Sequence, residues 1–371
     1  MAKRSHITKK KTTRRQSLPE LQRKIERLDR DVVKQVNERA KLFEKIQKLQ
    51  PEDHSPIVDV DGDQTWIEQL VGGSKGPLDA RTIRQILGEM ASGCRELVKP
   101  LRVAYLGPEY SYSHLAARER FGSSVELVPV ATISAVFKEI NQHQSDFGLV
   151  PLENSTDGRV TDTLDMFARL PVRICGEVQL RIHHFLLGKC ERAAVCEVFS
   201  KPQALSQCRD WLSKHLPAAR TVEMTSTAVA AQVAAEKPGA AAVASREAGL
   251  SYGLNVIAEN IEDNKNNVTR FAVIGHETSR RTGNDKTSLM FEIPHSSGTL
   301  ADAMGIFKRN RLNLTWIESF PMPGTKSEYL FFVELEGHVI EMKVKRALAA
   351  LEKKTVRLEV LGSYAKSVPV E

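Results

Sequence analysis

The chain lacks the features that would place it in several large classes at once. No run of 18 apolar residues occurs in its 371, so a transmembrane helix of ordinary length is not expected. Cysteine is scarce and odd in number: Cys94, Cys175, Cys190, Cys196 and Cys208. No CxxC occurs and no His/Cys cluster has zinc-ligand spacing, which argues against a disulfide-stapled scaffold and against a metal site. Reduced, mostly buried thiols in a cytoplasmic protein are the expectation. Neither GxGxxG nor GxxxxGK[ST] is present, so a nucleotide is a poor guess and no cofactor is expected. One sign of charge is also missing from a whole segment. Residues 1–17 carry seven Lys/Arg and no acid, which accounts for the net charge of +7. The remainder holds 46 basic against 46 acidic residues and is neutral. A nucleic-acid or membrane partner would rest on that tail alone, and a solvated, disordered arm is the plainer reading. The tail has no apolar core of signal-peptide type.

What is present divides into three regions. Ser17-Leu18-Pro19-Glu20 is a capping box with proline in the first turn. Leu21, Ile25, Leu28, Val32, Val36, Phe43 and Ile46 follow at three- and four-residue steps, predicting one helix of roughly thirty residues that stops at Pro51. Residues 52–65 read as an acidic loop, and 66–71 and 79–98 as further helix. Residues 18–98 are thus an all-helical domain too thin to bury its own stripe, which predicts pairing with a second copy. From Leu101 to about residue 278 short apolar strands alternate with helices, implying mostly parallel sheets in an α/β domain. The long extended segment VRICGEVQLRIHHFLLG suggests a crossing between two lobes, with DNKNNVTRF as the return. Residues 286–364 read βαββαβ, the ferredoxin-like order.

Ligands of open α/β sheets bind beyond the carboxyl ends of the strands. There this sequence places hydroxyls: Ser111 and Ser113, Ser155 and Thr156, Ser200 followed by Gln203, Thr225 to Thr227, and Ser245. Helix N-capping explains any one of them. Together they also suit a cleft for a small anion. On this reading Arg270 grips a substrate carboxylate in bidentate fashion, and Thr269 donates to a reacting oxygen. The alternative for Thr269 is β-branched filler at a strand start. His183 and His184 face opposite sides of an extended segment, so both cannot enter one site, and a core or surface role is expected.

The ordered set YLGPEYSYSHLAA, VPLENS, YGLNVIAENIEDNKNNVTRF, GTL and IESFP resembles prephenate dehydratase with a C-terminal ACT regulatory domain, over residues 101–364. The helices before it resemble the chorismate mutase domain fused to this enzyme in bifunctional bacterial proteins. The resemblance implies a two-lobed fold like the periplasmic binding proteins and a reaction in which prephenate loses carbon dioxide and water to give phenylpyruvate. It makes Thr269 the essential catalytic residue and lines the site with Glu153, Asn154, Ser155 and Ser111 to Ser113; Arg270, Phe271, Ser200, Gln203, Thr225 and Ser226 are further candidate substrate-binding residues. One departure stands in the first motif, where Tyr110 replaces a usual glycine. If that position needs positive φ, the tyrosine is strained; a reshaped loop, or a phenol in the cleft wall, is the other expectation.

For the mutase-like helices the resemblance carries over Arg39, while Gln22, Gln50, Gly62 and Val98 stand where an arginine, a lysine, an arginine and a glutamine are usual. A helical pairing element with lost or reduced mutase activity is expected. Gly298, Thr299, Leu300, Glu318 and Ser319 match the effector motifs of the ACT domain, implying L-phenylalanine bound between paired domains, although Phe320 replaces the second motif's arginine. A fully bifunctional chorismate mutase/prephenate dehydratase, an arogenate dehydratase, a solute-binding module lacking Thr269 chemistry and a ligand-sensing nucleic-acid binder are the alternatives.

Overall fold

The structure is a computed structural model that describes residues 17–49, 60–321 and 329–370. The basic tail before Ser17, Gln50, the stop at Pro51 and most of the acidic loop lie outside these. The chain divides into two compact units, Met1–Ser55 and Pro56–Glu371. The first holds the helix Leu18–Leu49, 32 residues long. The backbone N–H of Ser17 donates to the Glu20 carboxylate at 3.0 Å, one half of the capping box. Its apolar stripe, including Leu21, Ile25, Leu28, Val32 and Ile46, is exposed.

The helices Val60–Gly73 and Ala80–Glu96 belong instead to the second unit. The expected acidic loop is shorter than its composition suggests, because helix begins at Val60. The buried face of Ala80–Glu96 carries small residues, Ala91, Ser92 and Cys94, together with Arg95. Arg95 is held by Asp63 at 2.5 Å and by the Phe121 carbonyl at 2.7 Å. Gly122 sits against Ser92 at φ +79°, and a Cβ there would lie 2.4 Å from the Ser92 Cβ, so only glycine fits. The last two helices of the segment 18–98 pack on the α/β region.

Two sheets form that region. The first orders Pro369–Val370, Arg173–Arg181, Val268–Gly275, Phe147–Asn154, Arg102–Leu106 and Glu126–Val130, with Gly158–Arg159 paired to Phe147–Asn154. The second orders Asn255–Ala258, Phe185–Gly188, Ala240–Ala244, Glu197–Ser200 and Arg220–Glu223. Pairing is parallel among the βα units and antiparallel where the chain crosses between lobes. The crossings are Ile182–His184 outward and Glu259–Asn267 on the return, so both sheets are mixed rather than mostly parallel.

The strands Asp285–Glu292, Leu314–Pro321, Tyr329–Glu336 and Arg357–Ala365 make a third, wholly antiparallel sheet in ferredoxin-like order. The helices Thr299–Arg309 and Met342–Glu352 cover one face through Ala303, Phe307, Val344 and Leu351. Met290, Phe320, Phe332 and Tyr364 on the other face share a core with Val136, Phe137, Phe167 and Ile274 of the first lobe. Gly362 permits the close approach: a Cβ there would stand 1.9 Å from the Ile174 carbonyl oxygen.

Candidate active site

The return strand Val268–Gly275 enters the first sheet between Phe147–Asn154 and Arg173–Arg181. Its register sets Thr269 opposite Asn154 and Arg270 opposite Glu153. Alternation then sends the two side chains to opposite faces.

On the Thr269 face the groups nearest the threonine are neutral. Asn154 Nδ2 donates to Thr269 Oγ1 at 2.8 Å and to Asn267 Oδ1 at 2.9 Å. Asn154 Oδ1 accepts from the backbone N–H groups of Thr156 and Asp157, which fixes the amide's orientation. Asn267, almost wholly buried, donates to Gln207 Oε1 at 3.0 Å. Gln207 reaches in from the second lobe and also donates to Asp157 at 2.9 Å. His184 Nε2 lies 2.8 Å from the same Gln207 oxygen, and its Nδ1 lies 3.0 Å from the Tyr112 hydroxyl. Burial lowers the His184 pKa, which favours the neutral ring, and the Tyr112 hydroxyl donates to the His183 carbonyl at 2.7 Å. Burial likewise holds Tyr112 well above the usual phenol value. Thr269 Oγ1 accepts from Asn154, which leaves its own proton for a ligand oxygen.

The Arg270 face is charged. Its guanidinium meets Glu153 at 2.8 Å, Glu177 at 3.3 Å and Glu334 at 2.8 Å, and lies over the Trp316 ring. Lys286 joins Glu177 at 2.5 Å and Glu334 at 3.3 Å, while the Tyr364 hydroxyl bonds to Glu334 at 3.1 Å. The side chains of Glu177, Glu334 and Lys286 are 2%, 1% and 7% exposed, so water screens little. Burial alone would raise the Glu177 pKa, but the charges of Lys286 and Arg270 outweigh it and hold the carboxylate below its usual value. The expectation that Arg270 grips a substrate carboxylate is thus corrected: protein carboxylates on the face away from Thr269 occupy it. Glu153 turns the same way.

Other expected residues divide similarly. Phe271 is buried among Tyr105, Phe121 and Val178 and belongs to the core. Ser200 is fully buried and donates to the Val243 carbonyl at 2.6 Å inside the second lobe. Ser111, Ser226 and Ser245 cap the helices Tyr112–Phe121, Thr227–Glu236 and Arg246–Ser251, and Ser113 is buried in the first of these. Ser155 accepts from the Val268 N–H at 2.9 Å, holding its loop to the return strand. Gln203 and Thr225 are exposed on the second lobe. Tyr110 does take positive φ, +62°, with its ring edge-on to His114 and Tyr252. Its carbonyl accepts from Ser245 Oγ at 3.3 Å, so this strained loop also bridges the lobes. Sequence reasoning missed Asn267, Gln207 and Tyr112. All three lay near residues already singled out: Asn267 inside the DNKNN run, Tyr112 between Ser111 and Ser113, and Gln207 one helical turn beyond Gln203.

In the C-terminal domain Gly298 (φ +89°) precedes the helix Thr299–Arg309. The Thr299 hydroxyl donates to the carbonyls of Pro294 and Ser296, each at 2.9 Å, and Leu300 is exposed. Glu318 pairs with Arg159, whose guanidinium also donates to the Ser319 carbonyl at 3.2 Å. Phe320 is buried in the core shared with the first lobe. Arg39 lies on the long first helix, Gly62 in Val60–Gly73 and Val98 just beyond Ala80–Glu96.

The sequence matches the prephenate dehydratase family over residues 103–279 and chorismate mutase type II over residues 21–99. It is 40% identical over 358 residues to the bifunctional chorismate mutase/prephenate dehydratase of Aquifex aeolicus, covering 95% of this chain and 99% of that protein. Among solved structures, prephenate dehydratase from Arthrobacter aurescens in complex with L-Phe superposes with a TM-score of 0.68 at 30% identity, over 72% of this chain and 90% of that one. GqqA, described as a novel type of quorum quenching acylase, superposes with a TM-score of 0.66 at 27% identity, over 72% and 98%.

Proposed function

The chain belongs to the bifunctional chorismate mutase/prephenate dehydratase family, and from that premise we propose that Thr269 is the group that assists loss of the ring hydroxyl from prephenate. The electron pair of the bond to the departing carboxylate moves into the ring as carbon dioxide leaves. Across the ring the hydroxyl departs with its bonding pair and takes up one proton to become water. Aromatisation drives the step, so the protein has to hold the dianion and stabilise the departing oxygen. The observation that carries this role is the Asn154–Thr269 hydrogen bond, which spends the amide on one lone pair of Oγ1 and leaves the threonine O–H to donate a hydrogen bond to the departing oxygen, the proton of the water formed coming from solvent. Arg270 being committed elsewhere, the N-termini of the ten-residue helices behind Ser111 and Ser226 are the anion-holding groups this reading favours. Incubation with prephenate while phenylpyruvate is followed tests the activity. Absence of product from folded protein overturns it.

Two further parts of the reading concern the ends of the chain. The exposed stripe of Leu18–Leu49 supports a homodimer. The substitutions at Gln22, Gln50, Gly62 and Val98 support weak or absent mutase activity; rapid prephenate formation from chorismate overturns that. Gly298 to Leu300 and Glu318-Ser319, on a ferredoxin-like domain packed against the first lobe, support an ACT domain that binds L-phenylalanine as effector.

A further inference from the structure

Arg159 links the Glu318–Ser319 segment to the loop that orients the catalytic threonine. Its guanidinium holds the Glu318 carboxylate and donates to the Ser319 carbonyl. The residue lies on the two-residue strand Gly158–Arg159, which pairs back so that Arg159 faces Glu153 and Gly158 faces Asn154. Asn154 closes this short hairpin through its bonds to the Thr156 and Asp157 N–H groups, and donates from its other end to Thr269. From Glu318 to Thr269 Oγ1 every link is an ion pair, a hydrogen bond or one hairpin. Phe320, which stands in place of the effector motif's arginine, is buried in the core and brings no cation to the segment.

The chemistry at the Glu318 end suits an α-amino acid split across this pair. A carboxylate and a carbonyl accept from an ammonium group, and a guanidinium matches a carboxylate in bidentate fashion. We propose that Arg159 takes the place of the missing motif arginine and is a positioning residue: an amino-acid effector inserts between it and Glu318, and the altered tether moves the Asn154 hairpin and with it the hydrogen bond to Thr269. The proposal rests on the effector reading above.

Coupling between two sites is reciprocal, so it can be read from binding alone. L-phenylalanine affinity is measured by calorimetry on the full chain with and without saturating phenylpyruvate in the dehydratase cleft. In the parent the ratio of the two dissociation constants is expected to be about fivefold or more. In Arg159→Ala phenylalanine still binds, more weakly, and the ratio falls to near one; Arg159→Lys restores part of it. An unchanged ratio in Arg159→Ala overturns the proposal, as does a parent that binds phenylalanine without any coupling. A variant that melts like the parent and binds phenylalanine with undiminished affinity shows that no effector carboxylate sits on Arg159, which also overturns it; loss of binding that Arg159→Lys recovers together with the coupling supports it. A parent that binds no phenylalanine at all removes the effector reading itself, and this inference with it.

Discussion

On one face of the strand Val268–Gly275 neutral amides and hydroxyls converge on Thr269; on the other, Arg270 and Lys286 are packed with Glu153, Glu177 and Glu334. The contrast follows from what each face does. A reacting oxygen needs donors whose pattern a ligand can enter without separating buried charges. On the charged face the protein's own groups already pair with one another. That face joins three strands of the first sheet region to the C-terminal sheet, and its members are costly to unpair. One face is arranged to be rearranged, the other to stay still.

The comparison can be broken at several points. Arg270→Met leaves Lys286 alone against three carboxylates, so the largest effect is expected there: a loss of about 3–5 kcal/mol in denaturant unfolding. An unchanged midpoint would show that the cluster is already wet. Glu334→Gln removes the surplus negative charge and should cost clearly less than Arg270→Met; the reverse order would mean geometry outweighs charge. Thr269→Val should lower kcat about a hundredfold while leaving the unfolding midpoint in place. A drop below tenfold ends the catalytic role. Gly362→Ala forces a methyl against the Ile174 carbonyl and should cost about 1–3 kcal/mol, read as a lower melting temperature.

The smallest effect is in pH. The folded His184 pKa lies below its usual 6.5 because the ring is buried. Below that pH the unfolded chain takes a proton that the native ring refuses, so stability falls as pH drops through and beneath 6.5. Glu177 is depressed relative to 4.5, burial notwithstanding, by its cations. Its contribution is full above 4.5 and is lost as pH falls through its folded value. Acid unfolding therefore reaches the amide face first. His184→Asn should flatten the upper part of the stability profile and leave the lower part; a profile flattened only below 4.5 would reverse the assignment of faces.

The alternation that separates His183 from His184 in the sequence separates Thr269 from Arg270 as well, and applied there it places the arginine away from the cleft. What it does not give is the partner: Glu334 is 64 residues away in a different domain, and nothing local marks it. The lobes, the crossing segments and the ferredoxin-like order were legible, because alternating apolar runs and helix caps report local backbone. The hydroxyls at strand ends proved a weaker guide. Ser111, Ser226 and Ser245 satisfy helix N-termini and Ser200 bonds inside its lobe, each a sufficient reason for a hydroxyl. Gln207 and Asn267 were illegible because an amide's role depends on which other amides the fold brings to it.

The place of Val268–Gly275 in the first sheet also orders the chain's assembly in time. Its two neighbours, Phe147–Asn154 and Arg173–Arg181, are translated earlier, and the whole second lobe is made before the strand that belongs between them. A nascent chain must keep that slot open, with exposed strand edges on either side, until the second lobe has left the ribosome. The Thr269 hydroxyl, proposed above to assist the reaction, arrives with the piece that closes the slot, so on that reading a half-made chain has no way to act on prephenate.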